Sequence, residues 1–220
     1  PDGLTIAHTS VPGVRDQTAR SSGVKHDYTY FEYLGSAGPS SQMFTIRRSL
    51  PYETFEDLKK AGKQLFVAGS SPASTPNIVG RILEREGVNL KIVSGYRGSA
   101  IRGAAMIKGE MDASTLGVNY AVREKQHLKP IFWIEWKGPQ FPDLPMLEEL
   151  PLSAKTRSFV KAVTTPLLVG RTFLAPPKTP KDRLAVLQRA FEKTVKSSEF
   201  LAATKRLNVP IQWRNAEETK

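Results

Sequence analysis

The stretch that decides the fold is LKIVSGYRGSAIRGAAMIKGEMD, residues 90–112. Its first four residues favour a short strand, and the loop that follows contains two glycines. From Ser99 the apolar residues recur at helical spacing up to Gly109, so Ser99 is predicted to cap a helix over residues 100–108. The stretch therefore predicts a strand, a loop and a helix in immediate succession.

The segment just before it repeats this order. Residues 64–69 read as a short buried strand, residues 70–75 form a polar loop, and Thr75 followed by Pro76 marks the start of a second helix. Further upstream, Thr54 and Asp57 have the spacing of a capping box at the head of another helix. Strands and helices that alternate in this way indicate an α/β fold with a mostly parallel sheet.

Composition narrows the function classes. The chain has 220 residues, no cysteine and a formal net charge of +11 from 32 basic and 21 acidic residues. The absence of cysteine excludes disulfides, cysteine-containing zinc sites and thiol catalysis. The basic residues are dispersed, which favours a solvated positive surface that attracts small anions over a nucleic-acid-binding module. The three histidines, His8, His26 and His127, lack the spacing of a metal site.

Two loops are the first candidates for a binding site. In open α/β sheets, ligands bind beyond the carboxyl ends of the strands, and residues 69–75 and 95–99 both have that position. Their hydroxyls and their free N–H groups at helix starts suit an anion. Tyr96 and Arg97 add a phenol and a guanidinium. The simpler interpretation is that Thr75 and Ser99 only cap helices and that Arg97 is a surface charge.

An enzymatic interpretation stays open at this point. Glu110 and Asp112 lie two residues apart and could serve as an acid and a base, with His8 as a further candidate. Roles at a helix end and in a turn explain the same two carboxylates. The sequence contains no His-Glu-x-x-His, Gly-x-Ser-x-Gly or Walker A motif.

Several segments resemble one family in the same order along the chain. The strand followed by Gly-Tyr-x-Gly at residues 95–98, and the Gly-Glu-hydrophobic-Asp at residues 109–112, look like the signature region of the periplasmic solute receptors of tripartite tricarboxylate transporters, also called Bug-type binding proteins. The opening Pro-Asp-Gly, the Tyr-Leu-Gly-Ser at residues 33–36 and the Ala-Pro-Pro-Lys-Thr-Pro at residues 175–180 are similar to further segments of that family.

The resemblance implies a two-lobed, type II periplasmic-binding-protein-like architecture with crossing strands between the lobes. Residues 1–48 and 170–220 would form lobe I, and residues 49–169 would form lobe II. A hinge closure would hold a small organic carboxylate, either a dicarboxylate or an aromatic acid, in an interlobe cleft. The resemblance further implies a periplasmic monomer that is not an enzyme, uses no cofactor or metal, binds no nucleic acid, and delivers its ligand to membrane transporter subunits. The alternative remains an α/β enzyme acting on a small carboxylate.

The resemblance also assigns ligand contacts. Family members carry a strand, a glycine-rich loop and a helix before the Pro-Asp-Gly segment, so we expect some first-lobe contacts to lie outside this sequence. We also expect Ser99→Pro to damage binding, because it removes an N–H donor and the cap together. The predicted contacts are His8, Thr9 and Ser10 in lobe I, and Ser70, Ser71, Ser74, Thr75, Tyr96, Gly98, Ser99 and Thr115 in lobe II.

Overall fold

The structure is a computed structural model that describes residues 2–9, 17 and 25–220. Its internal contacts divide the chain into two compact units, residues 1–40 with 166–220, and residues 41–165. The strands in chain order are β1 (Ala7–Thr9), β2 (Glu32–Ser36), β3 (Gln42–Arg47), β4 (Leu65–Ala68), β5 (Leu90–Val93), β6 (Ala113–Gly117), β7 (Leu128–Trp133) and β8 (Thr172–Ala175).

The described α-helices lie mainly between and after these strands. They are α1 (Phe55–Lys60), α2 (Thr75–Arg85), α3 (Ser99–Ile107), α4 (Val118–Arg123), α5 (Ala154–Thr164), α6 (Lys181–Lys196), α7 (Ser198–Arg206) and α8 (Ala216–Thr219). Short 3₁₀ helices cover Tyr28–Tyr30, Leu147–Glu149 and Thr165–Val169. In the part of the chain that the structure describes, no helix is long and apolar enough to span a bilayer.

The first unit contains a three-stranded antiparallel sheet in the order β1-β8-β2. Helix α6 contacts β2, and α8 packs against the same strand. Near the C-terminus the sequence predicts a strand over residues 211–213, and this prediction is wrong. The segment runs beside the open edge of β2, where Gln212 N donates to Ala37 O at 2.9 Å and Arg214 forms an isolated bridge with Ser36.

The second unit contains a five-stranded mixed sheet in the order β5-β4-β6-β3-β7. Strands β5, β4 and β6 are parallel, whereas β3 runs antiparallel to β6 and β7. The predicted mostly parallel sheet is thus correct for the three strands joined by α2 and α3. Adjacent parallel strands need a crossover connection, which α2 and α3 provide here. Strand β3 instead pairs antiparallel with β6 and β7.

The position of β3 also changes the expected unit boundary. The resemblance implies that residues 1–48 belong to lobe I, whereas the first compact unit ends at residue 40 and residues 41–48 belong to the second. The reason is that β3 pairs along both edges with β6 and β7. At its C-terminal boundary the second unit ends at residue 165, whereas lobe II was expected to end at residue 169.

The core of the second unit lies on the faces of its sheet. Phe44 of β3 and Phe132 of β7 are fully buried and stack with ring centroids 5.1 Å apart. Trp133 is also buried, and its indole N–H donates to the carbonyl of Phe141 at 2.9 Å. The predicted capping box of α1 is present, since the Thr54 hydroxyl accepts from Asp57 N and the Asp57 carboxylate accepts from Thr54 N. These contacts fix the sheet whose loops carry the candidate site.

Candidate functional site

The two candidate loops of the second unit lie against each other. They follow β4 and β5, which are adjacent parallel strands, so both begin at the same edge of the sheet. The N–H of Tyr96 donates to the carbonyl of Gly69 at 2.9 Å, and the N–H of Gly95 donates to the carbonyl of Ser70 at 3.1 Å. These bonds extend the pairing of β4 with β5 into the loops. Both loops therefore lie at the carboxyl edge of the sheet, as the sequence predicts, and they contact each other there.

Asn77 of α2 holds this arrangement together. Its Oδ1 atom accepts from the N–H of Ser70 at 2.8 Å and lies 2.9 Å from the hydroxyl oxygen of Ser74. Its Nδ2 atom donates to the hydroxyl of Ser94 in the other loop at 2.9 Å. Asn77 is 3% exposed, and a Cβ atom at Gly69 would lie only 2.4 Å from its Oδ1. Sequence reasoning missed this residue, although a polar amide on the buried face of an apolar helix was a usable signal.

The hydroxyls of the first loop fall into two groups. Ser74 and Thr75 are buried, while Ser70 is half-buried and Ser71 is exposed. The Ser74 hydroxyl is used within the loop, where it donates to Ser71 O at 2.6 Å and accepts from Ser71 N at 3.2 Å. The prediction that Thr75 caps α2 is wrong, because Ser74 is the N-cap residue and Thr75 begins the helix beside Pro76. Of the four predicted contact residues in this loop, Ser70 and Ser71 are therefore the accessible ones.

The second loop depends on two glycines with positive φ. Gly95 has φ of 110° and Gly98 has φ of 82°, a region that glycine adopts without strain. A Cβ atom at either position would meet no described atom within 4 Å, so backbone conformation, and not space, requires glycine there. Gly98 is the N-cap residue of α3, so the predicted Ser99 cap is also wrong. Ser99 is the first residue of the helix.

Ser99 instead joins this loop to β6. Its half-buried Oγ atom accepts from the N–H of Gly117, the last residue of β6, at 3.1 Å. The first helical position tolerates proline. Ser99→Pro would therefore act mainly by removing this hydroxyl, and Ser99→Ala tests the same contact with less effect on the backbone.

Arg102 is the second residue that sequence reasoning missed. Its side chain is buried, with 6% of the residue exposed, one helical turn after Ser99. Nε and Nη2 donate to the carbonyl of Thr115 at 3.2 and 3.0 Å, Nη1 donates to the carbonyl of Tyr96 at 3.4 Å, and Nη2 lies 3.5 Å from Ser99 Oγ. Burial lowers the pKa of Arg102 to about 10, so the guanidinium stays charged at neutral pH. A basic residue within a helix of small and apolar residues was the signal for it.

Arg102 brings three of the predicted site residues together. Tyr96 lies in the loop after β5, Ser99 begins α3 and Thr115 lies on β6, and each of the three contacts the guanidinium. Tyr96 and Ser99 are half-buried, whereas Thr115 is fully buried and its hydroxyl donates to Gln42 Oε1 at 3.3 Å. Thr115 is thus placed to support the site through its carbonyl.

The predicted first-lobe residues belong to the first unit. His8 and Thr9 lie on β1, opposite Phe173 and Thr172 of β8, and the His8 and Phe173 rings are 5.3 Å apart. Loss of water around the imidazole and the nearby Arg171 charge lower the pKa of His8, while a hydrogen bond with the Gly170 backbone acts in the opposite direction. Ser10 lies outside the described residues. A ligand contact from this set stays a prediction.

The proposed acid–base pair lies elsewhere. Asp112 immediately precedes β6, at the end of the strand opposite Gly117, and is 4% exposed. Its Oδ1 pairs with Arg47 Nη2 at 2.5 Å and its Oδ2 accepts from Phe66 N at 2.9 Å. Glu110 is exposed in the turn before it. No cluster of three potential metal-ligating side chains occurs among residues 2–9, 17 and 25–220.

Comparisons with known proteins place this geometry in a fold. No family model matches the chain, and no curated protein matches it. Among solved structures, a TctC solute binding protein from Polaromonas aligns with 99% of this chain and 73% of its own, at 19% identity and a TM-score of 0.67. The periplasmic binding protein BugD aligns with 100% of this chain and 72% of its own, at 21% identity and a TM-score of 0.73.

The chain has the fold of these periplasmic binding proteins. A third example is MatC from Rhodopseudomonas palustris with bound malate, which aligns with 94% of this chain and 70% of its own, at 19% identity and a TM-score of 0.68. The predicted fold class is therefore confirmed, and so is the resemblance that the motifs indicated, at the level of the fold. The paired loops after β4 and β5 are part of this periplasmic-binding-protein fold.

Proposed function

We propose that this chain is an extracytoplasmic receptor that binds a small organic carboxylate and releases it unchanged. The observation that carries the proposal is the pair of loops after β4 and β5, which are bonded to each other at the carboxyl edge of the sheet. Ligands bind at that edge in open α/β sheets. The periplasmic-binding-protein fold supports the same interpretation.

The chemistry at this edge favours an anion. Ser70, Ser71 and Ser99 present hydroxyls on half-buried or exposed positions, and Arg102 adds a positive charge whose Nη2 lies 3.5 Å from Ser99 Oγ. Helix α3 begins at Ser99, and the N-terminus of a helix carries a partial positive charge. The net charge of +11 adds a diffuse field of the same sign. A carboxylate matches these donors.

A dicarboxylate is the class that the comparisons favour. MatC, which has the same fold, holds malate. Aromatic acids remain part of the proposal, because the described loops do not select between the two classes. Delivery to a tripartite tricarboxylate-type transporter, a periplasmic location and a monomeric state rest on the same fold and on the family resemblance, and belong to the proposal.

The alternative of an α/β enzyme loses its main support. Its acid–base candidate Asp112 is committed to Arg47 and to the N–H of Phe66, at the amino end of β6. The candidate loops lie at the carboxyl ends of the strands. A catalytic carboxylate pair would have to act away from the site that the fold and the loops favour.

Isothermal titration tests the proposal directly. Malate, succinate, adipate and benzoate are titrated into the protein, with succinamide as an uncharged control of similar shape. We expect saturable heat with at least one acid and none with succinamide, and the acid should be recovered unchanged by chromatography. No binding of any acid, or conversion of one of them, would contradict the receptor function.

A further inference from the structure

Arg102 carries a charge that the described protein does not neutralise. None of the ion pairs formed by residues 2–9, 17 and 25–220 includes it. Its contacts are two carbonyl groups and one hydroxyl, and burial alone accounts for its shifted pKa. A buried charge is costly unless an opposite charge compensates it. Where such a cation is retained, an anionic ligand is one source of the missing charge.

The Ser99 hydroxyl contacts the Arg102 guanidinium and still has a proton to donate. A hydroxyl accepts two hydrogen bonds and donates one. The two acceptor positions of Ser99 Oγ face the N–H of Gly117 at 3.1 Å and Arg102 Nη2 at 3.5 Å. Within the described part of the chain its proton is donated to no acceptor, and Ser99 is half-buried. The described contacts therefore leave the Ser99 proton available to an acceptor outside the described protein.

We propose that Arg102 and Ser99 together recognise a carboxylate of the solute. Ser99 donates its O–H to a carboxylate oxygen, and the charge of Arg102 stabilises the anion through the polarised hydroxyl. Arg102 is a positioning residue in this scheme, because it acts through Ser99, while its bonds to Thr115 and Tyr96 fix its own position. This inference rests on the proposed receptor function and assigns the charge recognition within it.

Arg97 is the competing assignment. It lies in the same loop, one residue before Gly98, and was the guanidinium that the sequence offered for a carboxylate. It is exposed, so water screens its charge. Arg102 is buried, where the same charge acts with less screening. The two arginines therefore make different predictions for binding.

The test compares single and double variants by isothermal titration with succinate. We expect Arg102→Met to weaken succinate binding about 10- to 100-fold and Ser99→Ala about 10-fold. Arg102→Lys keeps the charge and should recover part of the loss. In the double variant the losses should be clearly less than multiplicative, because Arg102 acts through the Ser99 hydroxyl. Arg81→Met, which removes an exposed charge from α2, is the matched control and should stay within about 2-fold.

Each outcome decides the assignment. If succinate binds the wild type and Arg102→Met equally well, Arg102 does not recognise the solute, and the receptor function is unaffected. A loss in Arg97→Met that exceeds the loss in Arg102→Met would transfer the role to Arg97. Multiplicative losses in the double variant would show that Arg102 and Ser99 act independently. Should Arg102→Met fail to fold by circular dichroism, Arg102→Lys and Ser99→Ala complete the same cycle. Absence of succinate, malate, adipate and benzoate binding in the wild type would overturn both proposals.

Discussion

A buried charged side chain lies at each end of β6 in the five-stranded sheet, and the two differ in whether an opposite charge pairs with them. At the amino end of β6, Asp112 is paired with Arg47 and also accepts the N–H of Phe66. At the carboxyl end, Arg102 contacts carbonyls and the Ser99 hydroxyl, and the described ion pairs leave it out. The charge of Asp112 is thus balanced by a neighbouring arginine, whereas the charge of Arg102 has no acidic partner among the described ion pairs. The difference separates a structural charge from one that is suited to a ligand.

The backbone explains why the two ends differ. Asp112 is tied to β4 by two bonds, since its N–H also donates to the carbonyl of Phe66 at 2.8 Å, and Arg47 N donates to the carbonyl of Asp112 at 2.9 Å. The carboxylate thus completes a junction between β3, β4 and β6. At the other end the strands give way to loops, which bond to one another but leave hydroxyls accessible. Functional groups are commonly held on loops positioned by a rigid sheet in this manner.

The largest expected effect on stability comes from removing the Asp112–Arg47 ion pair at the amino end of β6. Asp112→Ala removes the partner of Arg47 and the acceptor for Phe66 N, leaving both without compensation. We expect the free energy of unfolding to fall by about 3 kcal/mol, measured by urea denaturation. Succinate affinity of the folded variant should stay within about 2-fold of wild type, because the change lies at the end of β6 away from Ser99.

A paired replacement serves as its control. Arg47→Met combined with Asp112→Leu removes both charges and should recover part of the lost stability, as apolar replacements of buried ion pairs often do. A variant at Asp112 that kept its stability but lost succinate affinity would contradict the structural assignment of this end.

The sequence predicted those features that depend on neighbouring residues. The capping box of Thr54 and Asp57 and the strand–loop–helix order around residues 64–109 are local, and both are observed. The Ser99 cap prediction was wrong because Gly98, which has a positive φ, takes the cap position. Arg102 and Asn77 stand out in the sequence as polar residues on largely apolar helices, but their distant partners, the Thr115 carbonyl and the Ser94 hydroxyl, could not be assigned because only the folded sheet brings them close. The direction of β3 depends in the same way on pairing across the sheet.

A smaller effect on stability is expected from removing the Asn77 amide, which links the two loops at the carboxyl edge of the sheet. Asn77→Ala leaves the N–H of Ser70 without its acceptor and removes the link to Ser94, so the two loops lose their side-chain connection. We expect a loss of about 2 kcal/mol in the free energy of unfolding, together with weaker succinate binding, because buried polar groups lose their partners. Urea denaturation and isothermal titration measure the two quantities on one preparation.

Asn89→Ala is the matched control for this change. Asn89 is exposed and its side chain meets Gln64 Nε2 at 3.4 Å, on the surface of the same unit. It should alter stability by less than about 0.5 kcal/mol and leave binding unchanged. If Asn77→Ala behaved like Asn89→Ala, the amide network would have no part in holding the loops.

The smallest effect on stability is expected at Glu110, two residues before Asp112. Its side chain is exposed, and its backbone N–H donates to Ala105 O at 2.9 Å, a bond that any side chain preserves. Glu110→Gln should therefore shift the free energy of unfolding by less than about 0.5 kcal/mol and leave succinate affinity unchanged. The same variant separates the two functions that the sequence left open. A receptor needs no carboxylate at this position, whereas an enzyme that used Glu110 with Asp112 would lose turnover while keeping its affinity. Conversion of malate by the wild type that disappeared in Glu110→Gln would place an active site at the amino end of β6, and the distinction between a structural end and a ligand-binding end would then be wrong.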